Sequence, residues 1–165
     1  MSLRLAAVVA AVVIAIDQAV KALVRADVPQ GSSRELLPGI ELVHTKNTGV
    51  SFGFLSGAPA WVVGLFSTVA LVAVVIVFIR TLPGPLGRFA AGLIVGGAVG
   101  NLIDRIAFGS VTDFLDLPAL PPCNVADIAI TFGAIAFAVG LLFAETAERK
   151  AEKHQDADDR AEAGA

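Results

Sequence analysis

Long apolar stretches separated by short polar segments dominate the chain, and they predict four membrane-spanning helices. Each stretch holds about twenty residues with few charges, the length that an α-helix needs to cross the hydrocarbon core of a bilayer. The predicted spans are residues 4–24, 60–80, 87–107 and 125–145. We therefore predict an all-α membrane fold, a bundle of four transmembrane helices formed by residues 1–147. Glycines spaced four apart in the third span favour close helix packing.

The segments between the spans differ from one another in composition. Residues 26–58 contain prolines and glycines between short β-branched or alternating stretches, which predicts a small extramembrane β-rich element. Residues 108–124 have the composition of a polar, proline-rich loop, and residues 148–165 form a charged tail that we predict to be disordered. The first apolar run lacks a small-x-small cleavage triplet after it, so an uncleaved helix fits it better than a signal peptide.

The distribution of positive charge predicts the orientation in the membrane. An even number of spans places both termini on one side, and that side holds more lysine and arginine than the opposite side. Because basic loops remain in the cytoplasm, we predict cytoplasmic termini, with the β-rich element and the loop of residues 108–124 outside.

The composition is that of a membrane protein, and it indicates which kinds of partner and cofactor to expect. Hydrophobic residues make up 56% of the chain and charged residues only 16%. The net charge of -3 comes largely from the tail and indicates no nucleic-acid partner. A single cysteine, Cys123, and two distant histidines build neither a disulfide nor a metal cluster, so we predict no metal and no cofactor.

Ionisable side chains in or beside the spans are the candidates for chemistry, since each costs about 2.5 to 3.5 kcal/mol at the centre of a helix. The predicted topology brings them, with three asparagines, to one membrane face. We therefore expect a single polar pocket there. Its candidate residues are Asp17, Lys21, Asn47, Asn101, Asp104, Arg105, Asp113, Asn124 and Asp127.

Two carboxylates that meet in a poorly solvated pocket do not both ionise easily, so the pair holds one proton between them. Such a pair can act as general base towards water and as general acid towards a peptide group. This chemistry requires no serine nucleophile, metal or cofactor.

Five short motifs occur in order along the chain: Asp17-Gln18-x-x-Lys21, the run NTGVSFG at 47–53, the run GAVGNLIDR at 97–105, VTDF at 111–114 and NVAD at 124–127. With these motifs, residues 5–145 resemble bacterial lipoprotein signal peptidases. That resemblance implies that Asp113 and Asp127 are the catalytic pair. It also implies roles in substrate binding or in support of the pocket for Asp17, Lys21, Asn47, Gly49, Asn101, Asp104, Arg105, Asn124 and Ala126.

The resemblance further implies the substrate and the location. The family removes the signal peptide of diacylglyceryl-modified prolipoproteins just before the lipidated cysteine, at the outer face of the bacterial cytoplasmic (inner) membrane. Membrane lipid can hold the acyl chains during the reaction, and nothing requires more than one chain, so we expect a monomer. The family commonly has an aromatic residue where this chain has Cys123, preceded by two prolines.

Several of these residues also fit structural roles. Asn124 and Asp127 have the spacing of a helix cap, and Asp17 and Lys21 that of an intrahelical ion pair. For Asp104 we favour a helix-end pairing with Asn101 and Arg105. Asp116 fits a solvated loop acid, and His44 a strand residue. Cys123 has no neighbouring histidine to activate it as a nucleophile.

Two other functions remain open at this level. A small proton-coupled transporter would use intramembrane acids such as Asp17 and Asp104 as relay sites, although these acids lie towards one membrane face and no inverted repeat is evident. A partner-binding membrane protein would use the glycine-rich third span, but the buried charges would then have no purpose.

Overall fold

The computed structural model describes residues 3–49 and 84–163 and, between them, six isolated helical positions from Val62 to Ile76. Side chains are described as far as Ala144 and at Thr146. Most of the predicted second span, residues 60–80, therefore lies outside the described residues, as do positions 50–58 of the predicted β-rich element and residues 81–83 after the second span.

Three helices make up most of the described chain: α1 (Leu3–Asp27), α2 (Pro85–Phe108) and α3 (Val125–Ala163). Within the described ranges, all three are long and apolar enough to cross a membrane, α3 over Val125–Ala144. They correspond to the first, third and fourth predicted spans, so that part of the prediction is confirmed. Large exposed apolar side chains cover their outer surfaces, as expected of helices that face lipid.

Helix α2 packs against both α1 and α3, and its glycines permit the close approach that the sequence predicted. A Cβ atom on Gly92 would lie 2.7 Å from the Cβ atom of Val9 in α1. A Cβ atom on Gly97 would collide with the main-chain oxygen of Ala126 in α3. Because larger residues at these positions would push the helices apart, the glycines fix the spacing between the helices that carry the polar residues.

A three-stranded antiparallel sheet lies at one end of the helices. Its strands are β1 (Ser33–Leu37), β2 (Ile40–Asn47) and β3 (Val111–Asp116), in the order β1-β2-β3. Strands β1 and β2 form a hairpin, and β2 pairs with β3 so that Thr45 lies opposite Asp113.

The position of β3 corrects the prediction that residues 108–124 are a loop. This strand begins with the β-branched Val111 and Thr112, but it is short and the prolines that follow it favoured a loop. Pairing with β2, more than sixty residues earlier in the chain, makes it a strand. The β-rich element is therefore not confined to residues 26–58.

The turn between α2 and β3 is only two residues long. Gly109 ends α2 in the left-handed conformation, with φ 71°, and its N–H donates to the main-chain oxygen of Arg105 at 3.0 Å. A residue with a side chain is strained at that φ, so glycine suits the turn. The tight turn places Asp104 of α2 and Asp113 of β3 at the same end of the molecule.

Helix α3 extends beyond its membrane-spanning part. The sequence predicted that the span ends near residue 145 and that residues 148–165 are disordered, whereas the helix continues to Ala163. Alanine, glutamate, lysine and arginine are abundant in this segment and have high helix propensity. Extending an existing helix also avoids the cost of forming a new first turn.

Candidate active site

Asn124 caps the start of α3 and forms reciprocal hydrogen bonds with Asp127. The N–H of Asp127 donates to Asn124 Oδ1 at 3.0 Å, and the N–H of Asn124 donates to Asp127 Oδ2 at 3.3 Å. These two bonds form a capping box, which satisfies N–H groups that a helix start leaves without partners. The predicted capping role of this pair is therefore present in the structure, and it fixes the Asp127 carboxylate at the helix start.

The side chain of Asn124 also contacts the second acid. Its Nδ2 donates to Asp113 Oδ1 at 2.6 Å, and Asn124 is fully buried. The two carboxylates therefore accept hydrogen bonds from the same residue. Asp113 accepts one from the side-chain amide of Asn124, and Asp127 accepts one from its backbone N–H. Of the predicted site residues, these three form the centre of the cluster.

Each carboxylate accepts a further hydrogen bond from an amide side chain. Asn47 Nδ2 donates to Asp113 Oδ2 at 3.0 Å, and Asn101 Nδ2 donates to Asp127 Oδ1 at 2.9 Å. Strand β2 supplies the first amide and helix α2 the second. The two acids are thus held by three asparagines from three different elements, and Asp113 is only 2% exposed.

Lys21 determines which way the Asn101 amide points. The Lys21 Nζ atom donates to Asn101 Oδ1 at 2.9 Å, and Asn124 Nδ2 donates to the same oxygen at 3.2 Å. With two donors on its oxygen, Asn101 must turn its NH₂ group towards Asp127. A fully buried ammonium group therefore orients an amide that contacts the carboxylate.

Two buried acids neutralise Lys21. Its Nζ lies 2.9 Å from Asp17 Oδ2 and 3.6 Å from Asp104 Oδ2, and all three side chains are fully buried. The predicted ion pair of Asp17 and Lys21 is present. Asp17 Oδ1 also accepts the N–H of Ala126 at 2.9 Å, so this carboxylate lies at the positive end of the α3 dipole.

Asp104 and Arg105 point in different directions, which corrects their predicted pairing at the helix end. Asp104 contacts Lys21 and Arg25, whereas Arg105 NH2 donates to the main-chain oxygen of Gly49 at 3.0 Å. Neighbouring residues on a helix project about 100° apart, so the two side chains leave α2 on different sides. Within the described part of the chain, the buried Arg105 Nε has no hydrogen-bond partner.

Comparison with known proteins decides the family. A family model described as signal peptidase (SPase) II matches residues 9–143. The chain belongs to the signal peptidase II family. It is therefore a membrane protease of lipoprotein processing.

Individual relatives agree with this assignment. The lipoprotein signal peptidase of Tolumonas auensis is 40% identical over 131 residues, which are 74% of this chain and 80% of that protein. The lipoprotein signal peptidase of Moorella thermoacetica is 40% identical over 136 residues, 81% of this chain and 89% of that protein. A solved structure described as a bacterial membrane enzyme, determined by the in meso method at 2.3 Å resolution, matches with a TM-score of 0.75 and 30% identity, covering 83% of this chain and 87% of that chain.

Two further candidates from the sequence, His44 and Asp116, lie in the sheet. His44 lies in β2, as predicted, and its Nδ1 is 2.7 Å from the main-chain oxygen of Val28. Asp116 is a half-buried residue at the end of β3, not the solvated loop acid that the sequence suggested. No group of three metal-binding side chains occurs among the residues described.

Cys123 pairs with β3 through its backbone and has a half-buried side chain. Its N–H donates to the main-chain oxygen of Leu115, and its oxygen accepts the N–H of Leu115, both at 2.9 Å. Burial raises the pKa of the thiol, and the negative charge of Asp127 raises it further. A thiol that keeps its proton is a poor nucleophile, which agrees with the low weight that the sequence gave to this role.

Sequence reasoning missed three residues that join the cluster: Gln18, Arg25 and Thr112. Gln18 Nε2 lies 3.1 Å from Asp17 Oδ2 and 3.2 Å from Asp104 Oδ1, so it links the two buried acids. Arg25 follows Lys21 by four residues, as Lys21 follows Asp17, and this helical spacing could have shown that all three share one face of α1. Thr112 stands in the VTDF motif, but the sequence analysis gave it no role.

Burial raises the pKa of Asp113 to about 6, and the charge of Asp127 acts in the same direction. Hydrogen bonds from Asn47 and Asn124 oppose this rise, as does the charge of Lys21. The folded protein therefore retains a proton on Asp113 at pH values where the unfolded chain has lost it. The contribution of Asp113 to stability is therefore fully present below the ordinary pKa of 3.8 and is lost as the pH rises through about 6.

We expect the Asp113→Asn variant to lose this pH dependence. A rise in pKa of about 2 units corresponds to about 3 kcal/mol, so the stability of the variant relative to the unmodified protein should increase by about that amount between pH 4 and pH 7. Thermal unfolding in detergent at both pH values measures the change. Asp116→Asn, which leaves Asp113 in place, is the control. An Asp113→Asn curve parallel to that of the unmodified protein would contradict the prediction.

Proposed function

We propose that this chain removes the signal peptide from diacylglyceryl-modified prolipoproteins by cutting just before the lipidated cysteine, with Asp113 and Asp127 as the catalytic pair. One observation carries the proposal: Asn124 hydrogen-bonds to both carboxylates, at 2.6 Å to Asp113 and 3.3 Å to Asp127. Two acids held by one residue can share a water molecule.

The reaction needs one carboxylate and one carboxylic acid. The carboxylate takes a proton from water as the water oxygen attacks the peptide carbonyl carbon, and the acid gives its proton to the carbonyl oxygen. When the C–N bond breaks, the proton first taken from water passes to the departing amine, and the carboxylate that gave up its proton takes one back from a hydroxyl of the tetrahedral intermediate. Because the pKa of Asp113 is raised to about 6, the pair keeps its shared proton to a higher pH than ordinary carboxyl groups would.

The hydrogen bonds around the pair suggest how the other residues divide their work. Asn101, Asn124 and Lys21 orient the two carboxylates, and Asp17 anchors the start of α3 at Ala126. Asp104 balances the charge of Lys21. Arg105 and Asn47 both hydrogen-bond to the backbone of Gly49: Arg105 donates to its oxygen at 3.0 Å, and Asn47 accepts its N–H at 3.0 Å. These last three residues are the candidates for contact with the peptide.

The surroundings of the site suit a substrate anchored in lipid. The polar cluster lies where α1 and α2 end and α3 begins, beside helices whose exposed surfaces are apolar. A diacylglyceryl group can keep its chains in the bilayer while the peptide next to it enters the cluster. We infer a monomer with four spans, of which residues 60–80 form the second along the chain. We further infer that both termini lie in the cytoplasm and that the site lies at the outer face of the inner membrane.

Cleavage of a synthetic lipopeptide tests this function. Purified protein in detergent is incubated with a signal-peptide sequence whose cysteine carries diacylglyceryl, and with the same peptide without lipid. We expect two fragments from the lipidated peptide, with the new N-terminus at the modified cysteine by mass spectrometry. Equal cleavage of both peptides, or a cut elsewhere, would contradict the proposed specificity, and no cleavage would contradict the function.

The transporter alternative has lost its support. Asp17 and Asp104, the acids that would act as proton relays, are paired with Lys21 and Arg25. The membership of the chain in an enzyme family points the same way.

A further inference from the structure

Arg25 joins three elements behind the proposed active site. Its NH1 group lies 3.0 Å from Thr112 Oγ1 on β3 and 3.4 Å from Asp104 Oδ1 on α2. The guanidinium also stacks on the ring of Phe108, 4.4 Å from the ring centroid. Arg25 itself belongs to the last turn of α1. One side chain therefore ties the end of α1 to the end of α2 and to the strand that carries Asp113.

Thr112 is the residue through which this contact can reach the catalytic pair. It directly precedes Asp113 and is 4% exposed. Its N–H donates to Asp104 Oδ2 at 2.9 Å, and its carbonyl oxygen lies 3.5 Å from Asn124 Nδ2. Successive side chains of a strand point to opposite faces, so the Thr112 hydroxyl is held on one face while the Asp113 carboxylate projects from the other.

We propose that Arg25 is a positioning residue for Asp113, acting through the hydroxyl of Thr112. This inference rests on the proposed function and names a residue that the sequence motifs do not include. Strand β3 is an edge strand, paired with β2 on one side and with the single residue Cys123 on the other. Anchoring Thr112 fixes the position of β3 relative to the start of α3. It thereby fixes the position of Asp113 relative to Asn124.

The geometry of arginine explains why this residue type suits the position. A planar guanidinium can contact a hydroxyl and a carboxylate at the same time while its face lies on an aromatic ring, whereas a lysine ammonium is a point charge without such a face. A displacement of about 1 Å in a reacting group can lower a rate about a hundredfold. Loss of the contact between Arg25 and the Thr112 hydroxyl should therefore lower kcat more than it changes KM.

Substitutions of Thr112 separate positioning from folding, because they leave every buried charge in place. Thr112→Val keeps the shape of the side chain but removes the hydroxyl, and Thr112→Ser keeps the hydroxyl. We expect Thr112→Val to lower kcat for lipopeptide cleavage roughly tenfold with KM changed less than about twofold, and Thr112→Ser to retain most of the activity. A residue needed only for folding would change the yield of folded protein, not kcat per folded molecule.

Arg25→Met completes the experiment as one arm of a double-mutant cycle. We expect it to lower kcat at least as much as Thr112→Val, and the double variant to be no slower than Arg25→Met alone, because both changes break the same contact. Arg34→Met, an exposed arginine on β1, is the control for loss of a positive charge.

The outcomes distinguish this inference from the function on which it rests. Wild-type kcat in Thr112→Val, or a double variant whose loss is the product of the two single losses, would overturn the role of Arg25 while leaving the peptidase function intact. Failure of the unmodified protein to cleave the lipopeptide would overturn both. Three results together support the positioning role of Arg25. The kcat falls in Thr112→Val, it is largely retained in Thr112→Ser, and the losses in the double-mutant cycle are not additive.

Discussion

Asp113→Asn and Asp127→Asn should each lower kcat for lipopeptide cleavage by about 10²- to 10⁴-fold, the usual contribution of a positioned general acid or base. Asparagine has nearly the same shape as aspartate but neither takes a proton from water nor supplies one at neutral pH. The amide can still accept one of the hydrogen bonds that hold each acid in place, so the fold should persist.

The double variant sharpens this result. Because the proposed mechanism uses the two acids as one unit, the combined change should be scarcely slower than the single ones. Asp116→Asn, on the same strand as Asp113, controls for the general effect of removing a carboxylate. Rates are measured on folded protein isolated by size-exclusion chromatography. Cleavage at the unmodified rate by either single variant would remove that residue from the mechanism.

Lys21→Met should destabilise the folded protein by about 3 to 5 kcal/mol, the usual cost of removing one partner from a buried ion pair. Its ammonium group is fully buried against Asp17 and Asp104, so the substitution leaves negative charge in a poorly solvated place. The orientation of the Asn101 amide is lost as well, because Lys21 supplies one of the two donors to its oxygen. Thermal unfolding in detergent measures the effect.

Two further variants identify the cause of the loss. Lys46→Met removes a lysine that is exposed on β2 and should change stability little. Adding Asp17→Asn to Lys21→Met removes one uncompensated charge and should restore part of the stability, even though it is a second change in the cluster. A melting temperature for Lys21→Met equal to that of the unmodified protein would show that the charges are solvated or otherwise balanced.

A network of buried ion pairs and hydrogen bonds connects the residues around the two acids. Lys21 lies among Asp17, Asp104 and Asn101, and Gln18 joins the same acids from the side. Arg25 also contacts Asp104, so two cations balance the two acids, which reduces the cost of burying these charges beside apolar helices. Much of the predicted pocket is therefore a support for a small number of reacting atoms.

The described membrane helices could be predicted because their signal is local and strong. A helix must be about twenty apolar residues long to cross a bilayer, and that requirement is visible in any window of the sequence. Asp17, Lys21, Asp104 and Asp127 were visible for the same reason, since charged residues are rare in such stretches. The motifs around them then indicated the family, which comparison with known proteins confirmed.

The ion pair of Asp17 and Lys21 and the cap at Asp127 could be read from the spacing along the chain, but contacts between different elements could not. Strand β3 becomes a strand by pairing with β2, and the nearby prolines concealed it. Asp104 lies next to Arg105 in the chain yet pairs with Lys21 and Arg25 on another helix.

By itself, then, the sequence determined the three described helices that are long and apolar enough to cross a membrane, the polar residues within them and the family, because bilayer thickness and the cost of buried charge act on each segment separately. Only the tertiary structure decided that Asn124 hydrogen-bonds to both acids, that Lys21 orients Asn101, and that Arg25 reaches Thr112. Hydrogen bonds form between atoms about 3 Å apart, and residues as distant along the chain as Arg25 and Thr112 reach that separation only when helices and strands pack together.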